Sequence, residues 1–594
     1  MHQSKITGKL PKKEELNHVI GSFSKKEKIF FTFLSLALLI STLGILQIIN
    51  KSFLVEVPES GGSISEGIIG FPRFINPVLA NSPADLDLTT LIYSGLMRRS
   101  PDGNFIPDLA EKYEVSTNGL VYTFTLKDEI YFQDGKPVTA DDVIFTINKV
   151  QDSVIKSPRE VEWSGVTAKK LDEKTVEFTL KQPHPSFLEH ATIGIMPMYL
   201  WQNSPIELNE NNTNPIGSGP YMIKNVAKEP TGIITSYELV PFKKFILGEP
   251  YIQELNLRFY SSEEDSIQAL SKGEVEEISS ITPLNASILK ERNYKVDSAT
   301  LPRVFGLFFN QNENQLFTDK VITHAINDAI DKNKIIREVL YGYGVEINGP
   351  IPPSIILTPR NDSSKNLARE EVLKSVESSL AKDGWVKNAE GFLEKTTTDK
   401  NKKKTVVPLA FSISTGNAPE LAKTAELIKE DLEEIGMKID IKTFEVGNLN
   451  QGVIRPRKYD ALLFGQIINH ESDLSAFWHS SQRKDPGLNV ALYTNAKVDK
   501  ILEDAFATMD EAARIKKYAQ FEEEVRKDIP AVFLYSPNFI YVVSSNLKGL
   551  SMGRIISPRD RFLNVYHWYT ETENVWKIFT PTQSRGSDQS VGAN

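Results

Sequence analysis

The 594-residue sequence contains no cysteine and has a net charge of -9. Without cysteine there can be no disulfide bond, thiolate metal site, cysteine nucleophile or lipid attached through an N-terminal cysteine. The acidic balance offers no basic excess to nucleic-acid phosphates, so no nucleic-acid partner is predicted. Gly-x-Ser-x-Gly and His-Glu-x-x-His are absent, and no glycine-rich loop is complete enough for a nucleotide. These absences predict a protein that is not an enzyme and that needs no cofactor.

One long hydrophobic run lies near the N-terminus. Residues 29–49 are 21 residues without a charge, and at about 1.5 Å per residue they span about 30 Å of hydrocarbon. Seven lysines precede the run and only Lys51 follows it closely, so residues 1–28 are predicted to be cytoplasmic and the body extracytoplasmic. A cleaved signal peptide is the alternative, but its core would be shorter and followed by a small-x-small site. The sequence predicts a single-pass cell-membrane protein with residues 50–60 as a tether.

The body alternates between strand and helix patterns. Residues 120–127 and 175–181 place apolar side chains at every second position, which predicts half-buried strands. Apolar residues at helical spacing predict one helix over 317–340 and another that begins near 420. The second helix is predicted to stop at Gly436 and to be followed by a strand. Helix, glycine and strand in this order favour an α/β fold.

Two adjacent carboxylates, Asp141 and Asp142, precede an apolar run and could be an acid/base pair, part of a metal site or a helix terminus. Neighbouring helix residues point about 100° apart, so the two side chains cannot converge on one substrate. Thr139 followed three residues later by Asp142 resembles a capping box, and carboxylates suit the positive end of a helix dipole. The pair is therefore predicted to start a helix.

A second polar cluster consists of His470, Glu471, Asp473 and His479. These side chains offer the nitrogen and oxygen atoms that bind metals. Four polar residues in one loop are more often solvated, so no metal site is predicted here. His184 stands between two prolines and is predicted to lie in a surface turn.

Residues 91–150 contain a series of short motifs in a specific order: Tyr-Ser-Gly-Leu, Pro-Asp-Gly, Pro-Asp-Leu-Ala-Glu and Asp-Gly-Lys-Pro-Val-Thr-Ala-Asp-Asp-Val. Further landmarks are NPIGSGPYMI (214–223), NGPIPPS (348–354) and YDALLFG (459–465). Together they closely resemble the extracytoplasmic solute-binding proteins of peptide ABC transporters, the oligopeptide/dipeptide/nickel-binding family 5. The resemblance covers nearly all of residues 61–575.

This resemblance implies an α/β fold of the two-lobe periplasmic-binding-protein type, class II, with an inserted extra domain and one preceding transmembrane helix. By analogy, the predicted segments are 60–93, 214–303 and 535–575 for lobe I, 94–213 for the inserted domain, and 304–534 for lobe II. The crossovers near 303 and 535 would act as a hinge. The polar residues 576–594 are predicted to form a disordered tail.

The resemblance also implies a ligand and its contacts. An extended peptide would add as a strand between the lobes and pass to an ABC permease. In peptide binders of this family, an aspartate four residues after a glycine pairs with the ligand's α-ammonium. Here Gly465 leads instead to Asn469, which can accept a hydrogen bond but carries no charge. Glu471 or Asp473 of the same loop could replace that charge.

The resemblance implies further contacts with the ligand. Gly465 and Ile467 would offer main-chain groups to the ligand, and the aromatic side chains of Trp163 and Tyr535 would line the cleft, although core packing explains both aromatics equally well. Other functions stay open for the same fold. It could bind a nickel chelate, a sugar or another small solute, act as an enzyme or folding factor, or report ligand to a membrane receptor.

Overall fold

A computed structural model describes residues 13–356, 368–398 and 404–579. Of the predicted disordered tail, residues 580–594 lie outside the described residues. The chain forms two compact units. The first, called the terminal unit below, combines Met1–Glu59 with Glu571–Asn594, and the second, called the body, is Ser60–Thr570.

The strands of the described chain, in order, are β1 (Leu54–Glu59), β2 (Ser63–Ile69), β3 (Met97–Arg99), β4 (Phe105–Pro107), β5 (Ala110–Val115), β6 (Val121–Leu126), β7 (Thr167–Lys170), β8 (Thr175–Thr179), β9 (Tyr221–Lys228), β10 (Ile234–Pro241), β11 (Glu254–Tyr260), β12 (Glu277–Ser279), β13 (Lys295–Thr300), β14 (Arg303–Phe309), β15 (Gly344–Glu346), β16 (Val386–Lys387), β17 (Leu393–Thr398), β18 (Lys404–Pro408), β19 (Ala410–Gly416), β20 (Lys438–Phe444), β21 (Ala461–Ile467), β22 (Ala531–Val543) and β23 (Glu571–Trp576).

The α-helices are α1 (Lys13–Gly21), α2 (Lys25–Phe53), α3 (Pro83–Ile92), α4 (Ala140–Gln151), α5 (Phe187–His190), α6 (Met198–Trp201), α7 (Glu263–Lys272), α8 (Pro283–Glu291), α9 (Lys320–Ala329), α10 (Lys332–Glu338), α11 (Arg369–Lys382), α12 (Pro419–Glu434), α13 (Val446–Asn448), α14 (Asp473–Trp478), α15 (Ala496–Phe506) and α16 (Glu511–Asp528).

The terminal unit contains the hydrophobic run. Helix α2 begins at a capping box in which the backbone N–H of Ser24 donates to Glu27 at 2.8 Å. Within the described chain it is the one helix long and apolar enough to cross a membrane. Strand β1 follows it directly and pairs antiparallel with β23. The predicted tether, residues 50–60, thus comprises the last turn of α2 and β1. Residues 571–575, which fall within the segment predicted for lobe I, belong to β23.

A twelve-stranded sheet organises the described part of the body. Its main order is β20-β19-β21-β14-β22-β12-β2-β11-β10-β9, and β13 and β15 also pair with β22. Strand β22 joins the two halves, because Ala531–Tyr535 pairs with β14 whereas Asn538–Val543 pairs with β13. The half that contains β2 and the half that contains β14 are called lobe I and lobe II below. The predicted outer boundaries of the lobes and their hinge motion stay predictions.

A four-stranded antiparallel sheet, β5-β6-β8-β7, stands apart from the large sheet. The alternation predicted over 120–127 and 175–181 is confirmed, since Tyr122 and Phe124 of β6 are buried and β6 pairs with β8. Helix α4 packs against this sheet. The region between residues 97 and 201 therefore has its own strands and helices, attached to lobe I through a shared hydrophobic core.

Helix α4 begins as the capping box predicts. The Asp142 carboxylate accepts hydrogen bonds from the backbone N–H of Thr139 at 2.9 Å and, through its other oxygen, from that of Met198 at 2.8 Å. Asp141 points elsewhere and pairs with Lys170 at 2.7 Å. The interpretation of this pair as architectural is confirmed, because the two carboxylates serve different partners.

The helix predicted over 317–340 is wrong as a single element. The chain breaks between α9 and α10, where Ile330 is extended and Asp331 caps α10 by accepting from the backbone N–H of Lys334 at 2.9 Å. Apolar spacing continues across the break, but the cap gives the backbone an alternative to helix. By contrast, the stop predicted at Gly436 is confirmed. Helix α12 ends at Glu434, Gly436 adopts a φ of +94°, and β20 begins two residues later.

Lobe I is centred on a fully buried arginine. The guanidinium of Arg561 donates to Glu66 of β2 at 3.0 and 2.7 Å and to Asp87 of α3 at 3.0 and 2.7 Å. None of its side-chain surface is exposed. A buried guanidinium is tolerable when its donors find charged acceptors, and Asp87 meets this requirement through both carboxylate oxygens and Glu66 through Oε1. Three segments distant in the sequence are thereby joined at one point.

A second hydrogen-bond centre extends this group. The Tyr541 hydroxyl of β22 lies within hydrogen-bond distance of both Glu66 and Glu277. One hydroxyl has one proton, so it cannot donate to both carboxylates at once. Burial, followed by the charge of Glu66, raises the pKa of Glu277 to about 8. A protonated Glu277 at neutral pH resolves the conflict, because it can itself donate while Tyr541 donates to Glu66.

We predict that Arg561→Met destabilises the protein by about 3–5 kcal/mol, because it leaves Glu66 and Asp87 buried without a counter-charge. The measurement is urea unfolding of the full chain in detergent, followed by intrinsic fluorescence. Arg258→Met is the matched control, since Arg258 is exposed on β11 and should change the free energy of unfolding by less than about 0.5 kcal/mol. Equal effects of the two substitutions would contradict the assigned role of Arg561.

Candidate ligand-binding cleft

A cavity of about 420 Å³ opens where lobe I, the four-stranded-sheet region and the loop after β21 come together. Lobe I contributes α3 and the segment 556–566, the inserted region contributes β3, β4 and α5, and lobe II contributes Asn469 and His470. Acidic and basic side chains are equally represented on its wall. They are Arg98, Arg99, Arg159, Arg559, Asp108, Glu162, Glu189 and Asp560.

Strand β21 and the residues that follow it carry most of the predicted contacts. Gly465 lies opposite Phe305 of β14, and a Cβ atom added at this glycine would approach the Phe305 ring to 2.7 Å. Ile467 ends the strand with half of its surface exposed. Asn469 then lines the cavity. The structure thus brings Asn469 to the cleft wall, and ligand contacts by Gly465, Ile467 and Asn469 stay predictions.

The two carboxylates predicted to replace the missing aspartate are already engaged. Glu471 pairs with Arg514 at 2.6 Å. Asp473 accepts from the backbone N–H groups of Asn469 and His470 at 2.9 and 3.0 Å, at the start of α14. Both therefore shape the loop that presents Asn469. Neither side chain is on the cavity wall, and a ligand contact by either stays a prediction.

The two predicted aromatic contacts are buried in packed cores. Trp163 is fully buried, with ring centroids 5.4 Å from Phe178 and 5.5 Å from Phe187. Tyr535 stacks on Phe305 at 4.9 Å and is also buried. Their packing explains why these positions hold large aromatic residues. In this conformation neither ring forms part of the cavity wall, and a role in ligand binding stays a prediction for both.

The histidine-rich cluster does not converge. His470 pairs with Glu189 at 2.6 Å, whereas His479 faces Ser481 and Glu503. No group of three or more potential ligands in the described chain could hold a metal ion. The turn predicted at His184 is confirmed, since its carbonyl accepts from the backbone N–H of Phe187 at 3.0 Å. The ring is only partly exposed and contacts the rings of His190 at 4.9 Å and Phe506 at 5.2 Å.

The contact between His470 and Glu189 joins lobe II to the inserted region across the cavity. Burial alone would lower the pKa of His470, but the hydrogen bond and charge of Glu189, assisted by Asp473 and Glu162, raise that pKa above its ordinary value. The neighbouring His190 behaves in the opposite way, since burial lowers its pKa to about 3. One charged and one neutral histidine therefore stand beside the cleft at mildly acidic pH.

Two further residues on the cavity wall were not predicted from the sequence. Asp108 is buried, and its Oδ1 atom has no hydrogen-bond partner. Arg98, on β3, has an Nε atom that is shielded from water and also lacks a partner. Neither takes part in an ion pair with a described residue, although Arg98 lies over the Tyr566 ring at 5.9 Å. Burial raises the pKa of Asp108 to about 6, against the opposing charges of Arg98 and Lys127.

These features define a two-lobe solute-binding protein, and sequence comparison identifies its family. The chain belongs to the bacterial extracellular solute-binding proteins, family 5, whose middle region matches residues 104–486. Oligopeptide-binding protein AppA of Bacillus subtilis (strain 168) is 28% identical over 522 residues, which cover 86% of this chain and 92% of AppA.

Solved structures of relatives share the fold. The structure of Bacillus subtilis AppA in complex with a nonapeptide has a TM-score of 0.61 at 27% identity and covers 86% of this chain and 99% of that chain. NikZ from Campylobacter jejuni, in complex with Ni(L-His), has a TM-score of 0.63 at 25% identity and covers 85% of this chain and 99% of that chain. The predicted family and the α/β two-lobe fold are thus confirmed.

We predict that Glu189→Gln lowers the pKa of His470, because the variant removes the charge that stabilises the imidazolium. In the wild type the raised pKa stabilises the folded contact fully below about pH 6.5, the unfolded value, and this contribution is lost as pH rises through the folded pKa. Glu189→Gln should therefore lower the free energy of unfolding by about 1.5 kcal/mol at pH 6 and by much less at pH 9.

The measurement is a ¹³C-histidine NMR titration, with urea unfolding at the two pH values. Glu503→Gln is the matched control, since Glu503 is mostly exposed and faces His479 at 3.4 Å. If the His470 resonance titrates identically in wild type and Glu189→Gln, the contact contributes nothing in solution.

Proposed function

We propose that this protein captures oligopeptides in the cleft outside the cell membrane and delivers them to an ABC permease. The observation that carries the proposal is that Asp108 and Arg98, both on the cavity wall, each have one buried atom without a hydrogen-bond partner, Oδ1 and Nε respectively. A buried polar atom without a partner is costly, so a ligand that supplies a donor to Asp108 and an acceptor to Arg98 is favoured. A peptide supplies both an ammonium and a carboxylate group.

The ammonium group of the ligand is assigned to Asp108. Asn469 carries no charge, and the acidic groups Glu162, Glu189 and Asp560 of the wall already have partners at Arg159, His470 and the backbone of Ile556. Asp108 is the remaining carboxylate on the wall. Asn469 then accepts or donates a neutral hydrogen bond from the opposite lobe. No covalent step is part of this function, in keeping with a family that binds solutes.

The protein is held at the membrane by helix α2, with the N-terminus in the cytoplasm. The clustering of lysines before the helix supports this orientation. Strand β1 starts at Leu54, directly after Phe53 ends the helix, and pairs with β23. A signal peptidase acting behind the apolar run would have to cut a helical turn or a paired strand. This arrangement favours an anchor that is retained over one that is removed.

A second candidate ligand is a nickel chelate. Its support is the similarity to NikZ, solved with Ni(L-His), together with His470 on the cavity wall. A chelate brings its own ligands, so one protein imidazole could complete the coordination without a preformed metal cluster.

Isothermal titration of the full chain in detergent separates the two ligands. We expect heat with a mixture of peptides and none with Ni(L-His) or with free histidine. Native mass spectrometry of the purified protein, before and after denaturation, would give the mass of any peptide carried from the cell. Binding of Ni(L-His) in the absence of peptide binding would overturn the proposal in favour of the chelate.

We predict that Asp108→Asn weakens peptide binding by roughly tenfold or more, because a hydrogen bond to a charged group contributes about 1.5–3 kcal/mol. In the wild type, affinity should fall as pH drops through about 6, since protonation of Asp108 removes the charge that binds the ammonium. The variant should lose this pH dependence. The measurement is the Kd of one peptide between pH 5 and pH 8.

Asp102→Asn is the control, because Asp102 is exposed in the turn before β4. It should leave both the affinity and its pH dependence unchanged. An N-acetylated peptide tests the assignment from the ligand side. It should bind the wild type about as weakly as the free peptide binds Asp108→Asn, and equal binding of both peptides to the wild type would contradict the assignment.

A further inference from the structure

The C-terminal end of the terminal unit exposes large apolar side chains. Trp576, the last residue of β23, is 47% exposed, and Ile578 and Phe579 of the turn that follows are 75% and 71% exposed. Phe53, which precedes the strand partner of Trp576, is 54% exposed. Soluble proteins rarely leave several large apolar residues together in water, and such patches mark contacts with partners or membranes.

A hydrogen bond sets the height of this patch relative to the apolar helix. The charge-free run ends at residue 49, and its length of about 30 Å equals the hydrocarbon thickness of a bilayer. Asn50 is therefore the first residue past the hydrocarbon. Its Oδ1 atom accepts a hydrogen bond from Nε1 of Trp576 at 2.8 Å. The indole ring is thereby held at the boundary between hydrocarbon and headgroups.

The strand pairing directs the following residues toward the same boundary. Six residue pairs join β1 to β23, from Glu59↔Glu571 to Leu54↔Trp576. Because the pairing is antiparallel, β23 runs back toward α2 as β1 runs away from it. The side chain of Thr572 also donates to Glu56 across the pair at 2.6 Å. Ile578 and Phe579, beyond the last pair, thus lie on the helix side of Trp576.

We propose that Trp576–Phe579 inserts into the outer leaflet beside α2, and that the partner of this surface is the headgroup and upper acyl region of the phospholipids. Tryptophan suits this depth, since its ring is apolar and its N–H is satisfied by a polar group. The inference rests on the proposed retention of α2 as an anchor. It adds a second attachment, made by the far end of the chain.

The tryptophan content makes a direct test possible. The sequence has six tryptophans, and Trp163, Trp201, Trp385, Trp478 and Trp568 are buried. We expect the full chain in phosphatidylcholine/phosphatidylglycerol vesicles to lose fluorescence when the lipids carry bromine near the headgroup, and less when bromine is deep in the acyl chain. Trp576→Phe should abolish the shallow quenching, whereas Trp385→Phe should retain it.

A second variant tests insertion without removing the probe. Ile578→Ser combined with Phe579→Ser should shift the Trp576 emission to longer wavelength and reduce the shallow quenching, because the apolar contact with lipid is lost. Equal quenching of wild type and Trp576→Phe would overturn the inference. Vesicle flotation in high salt tests the anchor separately. A chain that floats without shallow quenching has the proposed anchor but lacks the second attachment. A chain that does not float lacks the anchor itself.

Discussion

The buried guanidinium of Arg561 is the constraint around which lobe I is built. It is shielded from water, so its donors must meet acceptors inside the protein, and these are the carboxylates of Glu66 on β2 and Asp87 on α3 and the carbonyl of Pro558. Folding of this lobe therefore requires the start of the body and a segment near its end to arrive together. Glu277 and Tyr541 extend the requirement to β12 and β22. The chain leaves lobe I and returns to it twice. This one polar centre joins the separate segments, and apolar side chains pack around it.

The same centre stands directly behind the candidate cleft. The short helical segment Pro558–His567 turns Arg561 inward, while its neighbours Arg559 and Asp560 face the cavity. One segment thus supplies both a residue of the buried polar centre and residues of the cavity wall. On the facing side, the loop that presents Asn469 is held by the Asp473 carboxylate and by strand pairing at Gly465. Hydrogen bonds therefore fix the backbone on both sides of the cavity.

Local features of this fold could be predicted from the sequence, because their causes lie within a few residues. The capping box at Thr139 and the left-handed stop at Gly436 are examples. The break between α9 and α10 could not, since apolar spacing runs through it and one capping side chain decides the outcome. The cleft could be predicted from the sequence only in part. Asn469 follows a family motif that can be read in the sequence. Arg98, Asp108 and Glu189 line the cavity only because folding brings together segments that are far apart in the sequence.

The pairing of β1 with β23 has a consequence for how the molecule could be rebuilt. The body begins at Ser60 and ends at Thr570, while the residues just outside it, Glu59 and Glu571, face each other across the strand pair. In topological terms the whole body is an insertion between the two strands of an antiparallel pair that belongs to the terminal unit. A domain whose two ends lie close together can be exchanged without disturbing its host. The terminal unit could accordingly accept another globular domain with adjacent termini in place of this body.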